Sequence, residues 1–128
     1  MGSVLAKPFM GGVKGSQPLS EAEATNLLRT VKGWRLTKDD LGLKLQHDWR
    51  VKNLLAGMQL LQGVAMLASI EQHHPDLSLY QSNIARVEIC SPLVGGLTEN
   101  DFILAAKIDG IYVADLILSR EDKFGIKL

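Results

Sequence analysis

Cysteine is nearly absent: Cys90 stands alone in 128 residues, so no disulfide can close within the chain. A reducing compartment, such as a bacterial cytosol or an organelle stroma, is therefore expected. Charge of one sign is missing too, since 14 Lys+Arg balance 14 Asp+Glu to a formal net charge of zero. No run of like charge could track a phosphate backbone or an anionic bilayer, which sets nucleic acid and membrane aside as partners. No apolar run approaches the roughly 20 residues of a membrane-spanning helix, and no contiguous hydrophobic signal core opens the chain. The expectation is a soluble protein. Also lacking are a phosphate-binding loop, a dinucleotide fingerprint and any local Ser/His/Asp arrangement, so no cofactor is expected.

What is present is apolar residue content of 46%, enough for one real core in a chain of this size. Residues 1 to 17 hold four glycines, Pro8, Lys7 and Lys14 without periodicity. They bury too little apolar surface to offset ordering entropy and read as a flexible arm, with a domain over 18 to 128. Ser20 followed by Glu23 is a capping-box pair that starts a helix running to about Val31. After Gly33, Trp34 and Leu36 begin a strand that turns at 38 to 42. Leu43, Leu45, His47 and Trp49 then alternate with polar residues, the period of two of a half-buried strand, and complete a hairpin. Its alternation places His47 on a buried or interface face with a hydrogen-bond partner.

From Asn53, the residues Leu54, Leu55, Met58, Leu61, Val64, Ala65 and Ala68 recur at three and four, a stripe expected to face the core of a long helix. Gly57 and Gly63 suggest close packing of that helix on a sheet. The helix ends before His73-His74-Pro75-Asp76. Leu77 and Leu79, then Ala85, Val87 and Ile89 after a polar break, are read as a third strand. Gly95-Gly96 supplies a turn. Thr98 with Asp101 caps a last helix expected to bury Phe102, Ala105, Ala106, Ile108 and Tyr112. The order α-β-β-α-β-α predicts the α+β class, a small antiparallel sheet covered on one face by helices. Its open edges predict a homo-oligomer, a dimer or tetramer.

His73 and His74 are the candidate acid/base residues, because imidazole titrates near neutrality and both accepts and donates a proton. The competing reading is a pair of cations capping a helix C-terminus. A metal site is not expected, since adjacent histidines do not readily converge on one ion and Asp76 is the nearest additional ligand. Gly95-Gly96-Leu97 before a helix could receive an anion on free N–H groups, or simply turn the chain. Ser91, before Pro92, has no neighbouring base in sequence.

The strings His73-His74-Pro75-Asp76 and Gly95-Gly96-Leu97-Thr98-Glu99-Asn100-Asp101-Phe102 through Asp109, with Gly33-Trp34-Arg35-Leu36 and Gly42-Leu43-Lys44-Leu45 upstream, resemble the pterin-4a-carbinolamine dehydratase family. The resemblance implies a pterin dehydratase-like fold assembled as dimers or dimers of dimers. It also implies a pocket in which histidines shuttle protons as water leaves a 4a-hydroxytetrahydropterin. By position, His73, His74, Pro75 and Asp101 match the family's motif and are the residues expected at a pterin. The leading charged position falls on Ser69 and the aromatic one on Ser82, with Tyr80 two residues early. The third histidine falls on Pro92, whose side chain neither donates nor accepts a proton. That depletion resembles a branch serving as an assembly factor for RuBisCO in chloroplasts and in bacteria with alpha-carboxysomes. It implies RuBisCO subunits as partners, a stromal, cytoplasmic or carboxysome-associated location, and weak or no dehydratase activity. Another relative stabilises transcription-factor dimers through its helices. Arg86, Glu88 and the arm's lysines are the candidate partner contacts, with an ordinary solvated surface as the alternative.

Overall fold

The computed structural model describes residues 17 to 118; the expected arm, with Lys7 and Lys14, and the last ten residues lie outside them. The order is α1 (Glu21–Leu28), β1 (Arg35–Asp39), β2 (Gly42–Arg50), α2 (Leu54–Ile70), β3 (Asp76–Tyr80), β4 (Ile84–Ile89) and α3 (Glu99–Asp109), with a short 3-10 turn at Pro92–Val94. All strand pairs are antiparallel, in the sheet order β1-β2-β4-β3. The class is the expected one. One element is corrected: the stretch read as a single third strand is a hairpin, β3 and β4. The polar break is its loop, where Tyr80 pairs with Ile84 and Gln81 and Ser82 take left-handed φ values of 51° and 67°.

The capping signals form as written. Ser20 Oγ accepts from the Glu23 N–H at 3.1 Å, and Glu23 accepts from the Ser20 N–H at 2.9 Å. The helix ends at Leu28, short of Val31. The N–H groups of Thr30 and Val31 reach back three residues, to Leu27 and Leu28, and so tighten the chain into turns. Asn53 caps α2, its side chain accepting from the Ala56 N–H at 2.8 Å.

The core gathers the inward residues of β2 and β4, Leu45, Trp49, Ala85, Val87 and Ile89, against α2 and α3. In α3 every residue from Asn100 to Ala106 is buried, so this helix is enclosed on all sides. Tyr112, expected to share that burial, lies beyond the helix and is 73% exposed. His47 is buried as expected: its ring stacks on Trp49 at 3.7 Å, meets Trp34 edge-on at 5.1 Å, and Nδ1 lies 3.2 Å from the Asp48 carbonyl.

The expected stripe of α2 is also corrected. The helix turns Ala56, Gly57, Leu60, Val64 and Ala68 to the core, leaving Leu54, Leu55 and Met58 exposed. A Cβ on Gly57 would lie 2.7 Å from a Leu79 methyl, which is the close packing its glycine suggested, whereas Gly63 has only an ordinary contact at 3.8 Å with Ile111.

On the other face of the sheet, Asp48 is fully buried beneath two guanidiniums. Arg86 donates to both its oxygens at 2.8 and 2.9 Å, and Arg35 to one at 3.0 Å. Burial by itself would raise the carboxyl, yet the hydrogen bonds and charges of Arg86 and Arg35 hold it below the usual carboxylate range. Asp48 pushes Arg86 upward in turn. Glu88 accepts from Gln46 at 3.0 Å on the same face. Arg86 and Glu88 thus have partners within the domain.

Candidate functional site

A cavity of about 330 Å³ opens where the α2–β3 connection meets the end of β4; it is lined by Gln72, His73 and His74 on one side and by Cys90 to Val94 on the other. The first wall is set by the way α2 ends. The Gln72 N–H bonds the Ser69 carbonyl at 3.2 Å and the His73 N–H bonds the Ala68 carbonyl at 3.0 Å, the pair of bonds that closes a helix through one left-handed residue. That residue is Gln72, with φ 55°, where a side chain costs roughly 1 kcal/mol relative to glycine. The next residues leave the helix axis, and His73 swings toward α3. Glu71, just before the reversal, accepts from Lys107 of α3 at 2.5 Å, which ties the end of α2 down.

The second wall is a loop pinned at its base. Ser91 and Gly96 bridge, the Ser91 N–H donating to the Gly96 carbonyl at 2.8 Å. Between them run the 3-10 turn and Gly95, which takes φ 75°. The tip of the β1–β2 hairpin packs beneath this loop. A Cβ on Gly42 would stand 2.2 Å from the Gly95 carbonyl oxygen.

Asp101 joins the two walls. Its carboxylate is fully buried; His73 Nε2 lies 2.8 Å from Oδ1. The Ser91 hydroxyl donates to both oxygens at 3.1 and 2.9 Å, and the Thr98 N–H donates to Oδ2 at 2.7 Å. One carboxylate therefore caps α3, anchors the loop and orients an imidazole. With Nε2–H turned to the carboxylate, Nδ1 is the atom of neutral His73 that accepts a proton. The sequence capping pair Thr98 and Asp101 is present, but its second duty toward His73 depends on packing between distant elements.

Of the residues expected at a ligand, His73 and His74 line the cavity, Asp101 acts from behind His73, and Pro75 lies beyond the lining, leading into β3. Pro92 lines it at the position where the resemblance places a third histidine. Ser82 sits in the exposed β3–β4 loop, and the nearby Tyr80 ring lies 4.7 Å under the Arg86 guanidinium. His47, stacked on Trp49 with Trp34 edge-on to it, does not line the cavity. Gln72, Cys90, Ser91, Leu93 and Val94 were not singled out by sequence reasoning as lining residues. Their only local signal is that they flank His73 and Pro92. Burial pushes the Cys90 thiol up, which leaves it protonated near neutrality. Among the described residues no group of three or more His, Cys, Asp and Glu could hold a metal ion, and no helix is long and apolar enough to cross a membrane.

The model of the family described as pterin 4 alpha carbinolamine dehydratase matches residues 17 to 111. The chain belongs to this family. A mitochondrial pterin-4-alpha-carbinolamine dehydratase 2 of Arabidopsis thaliana is 45% identical over 108 residues, covering 84% of this chain and 58% of the relative. A chloroplastic relative from the same plant is 39% identical over 106 residues, covering 81% of this chain and 48% of the relative. The chain thus spans about half the length of the plant relatives it matches. A protein of Nitrosospira multiformis named for the same activity is 39% identical, with 83% of this chain and 87% of that protein covered. In three dimensions the chain matches the crystal structure of a transcriptional coactivator/pterin dehydratase from Brucella melitensis. The TM-score is 0.63 at 24% identity, covering 73% of this chain and 97% of the other, which places the fold. Within this pterin dehydratase fold, the cavity, His73 and Asp101 fall in the part of the chain that the family match covers.

Proposed function

We propose that the chain binds a 4a-hydroxytetrahydropterin in the His73–His74 cavity and removes water from it. The observation that carries this reading is the His73–Asp101 contact at 2.8 Å at the wall of a cavity. Dehydration breaks the C4a–O bond and removes the N5 proton, so that a C4a–N5 double bond forms and water leaves. One group must accept the N5 proton while another protonates the departing hydroxyl. His73, oriented by a buried carboxylate, is suited to accept; His74, exposed at the cavity mouth, is suited to donate. Pro92 supplies no third proton carrier, and one positioned acid or base is typically worth about 10²- to 10⁴-fold in rate. A slow dehydratase follows. The test is turnover of a 4a-hydroxytetrahydropterin by the purified chain, with calorimetric binding of 7,8-dihydrobiopterin alongside. Turnover above background with saturable binding supports the reading; neither above background overturns it.

A second reading, a RuBisCO assembly factor, draws support from Pro92 and from α2. That helix has no charged residue in its 17 and exposes Leu55 (77%), Met58 (57%), Met66 (61%) and Ile70 (77%). Such a surface on a small domain marks a contact with protein. The plant relatives carry one mitochondrial and one chloroplastic name, which supports an organellar location for a plant source and does not choose the chloroplast stroma. We infer that a second copy covers the side of α2 that carries Leu54, Met58, Leu61 and Ala65, beside the exposed Leu55, Met66 and Ile70, since these four follow the 4-3-4 spacing of a helix seam that can mate with itself. Met58→Lys is expected to halve the mass measured by sedimentation equilibrium at micromolar concentration, whereas an unchanged mass assigns the face elsewhere. In that case co-purification with RuBisCO subunits would favour the second reading.

A further inference from the structure

Left-handed backbone is usually given to glycine, and this chain does so at Gly33 (φ 86°), Gly42 (φ 115°) and Gly95 (φ 75°). The reversal that aims His73 into the cavity is made by Gln72 instead, at φ 55°. Gln81 and Ser82 share the conformation at an exposed hairpin tip, so the backbone alone does not single Gln72 out. Its place does: of the three, Gln72 is the one that lines the cavity, next to His73 and His74 and together with Pro92 and Leu93. Strain retained at a ligand cavity is an observation that points to a task for the side chain.

The chemistry of the lining narrows that task. Pro92, Leu93 and Val94 offer no polar side-chain atoms, and the Ser91 hydroxyl is engaged by Asp101 at 2.9 and 3.1 Å. Gln72 carries a carbonyl acceptor and an NH₂ donor on one planar group. Such a group pairs edge to edge with a cyclic amide or amidine, which offers a donor and an acceptor in the same plane. The pyrimidinone ring of a pterin has that edge at N1, which accepts, and the 2-amino group, which donates.

We infer that Gln72 is a specificity-determining residue that reads the pyrimidinone edge of the ligand while His73 and His74 face the reacting atoms. The inference rests on the pterin reading above and adds to it the group that recognises the ring. A site built to hydrogen-bond a heterocycle rejects analogues that lack the matching donor, because its own polar group is then left unpaired.

The test compares wild type with Gln72→Gly and Gln72→Asn. Thermal melting is read first, then calorimetric affinity for 7,8-dihydrobiopterin and for a lumazine of the same substitution, which carries oxygen in place of the 2-amino group. Gln72→Gly is expected to melt at or above the wild-type temperature, since glycine accepts this backbone freely. Its pterin affinity should fall about tenfold, the loss of roughly one hydrogen bond, and its preference for pterin over lumazine should shrink. Gln72→Asn, which tolerates the same backbone and keeps an amide on a shorter arm, should fall between. In turnover the loss should enter KM more than kcat. If Gln72→Gly binds pterin within twofold of wild type with an unchanged pterin-to-lumazine ratio, the residue only ends the helix and the inference is overturned. If wild type binds neither compound, the pterin reading fails and this inference with it.

Discussion

His73→Ala is expected to lower kcat/KM for a 4a-hydroxytetrahydropterin by about 10²- to 10⁴-fold, and Asp101→Asn by at least about 10²-fold, with the fold intact in both. The first loss follows from removing the cavity's one imidazole with a buried carboxylate behind it. The second follows from the donors that converge on Asp101. Ser91, Thr98 and His73 all direct N–H or O–H groups at its two oxygens, and a carboxylate only accepts. An asparagine must turn its NH₂ toward one of them. If it keeps the Thr98 cap, its NH₂ faces His73 and favours the opposite tautomer, with the lone pair turned away from the ligand. Such a substitution alters proton placement more than packing. The two effects separate in measurement: far-ultraviolet circular dichroism and melting report the cap and loop, and steady-state kinetics report the imidazole. If Asp101→Asn retains near-wild-type kcat/KM while the melting temperature drops, Asp101 is a capping residue only, and His73 works without it.

Gly42→Ala is expected to destabilise the domain by about 3 kcal/mol or more, measured by urea unfolding, and to weaken 7,8-dihydrobiopterin binding in whatever fraction stays folded. Two costs coincide at this position. The φ of 115° suits glycine and strains a residue with a side chain. In addition, the new Cβ would fall 2.2 Å from the Gly95 carbonyl oxygen and 3.2 Å from the Gly96 Cα, and backbone cannot rotate away as a long side chain can. Any relief must move the Ser91–Gly96 loop, which carries Pro92 and the opposite wall of the cavity. A loss below about 1 kcal/mol with normal ligand affinity would show that the loop shifts without resistance and that the hairpin tip does not brace the site.

The parts of the fold written in local chemistry were legible in the sequence. The Ser20–Glu23 and Thr98–Asp101 capping pairs form because each needs only residues three apart. The β1–β2 hairpin follows from alternation and from a turn at which the Asp39 side chain accepts from the Leu41 N–H at 2.8 Å. The β3–β4 hairpin was not legible. Its loop of Gln81, Ser82 and Asn83 holds no glycine or proline, and the left-handed residues there are held by the pairing of the strands on either side. The orientation of α2 was equally hidden. Apolar residues lie on the exposed side of α2 as well as the buried one, Leu55, Met58, Met66 and Ile70 among them, so apolar spacing does not distinguish core from exterior. Gly57, seated against Leu79, is on the face that goes in.

By itself the sequence determined the caps, most of the strands, the break at His73-His74-Pro75 and the residue types available for proton transfer, since these depend on neighbours along the chain. Tertiary structure alone decided that Asp101 reaches His73, that Ser91 serves the same carboxylate and that Gln72 and Pro92 line one cavity. Each of these contacts joins separate elements, brought together when α3 is buried against the sheet and α2.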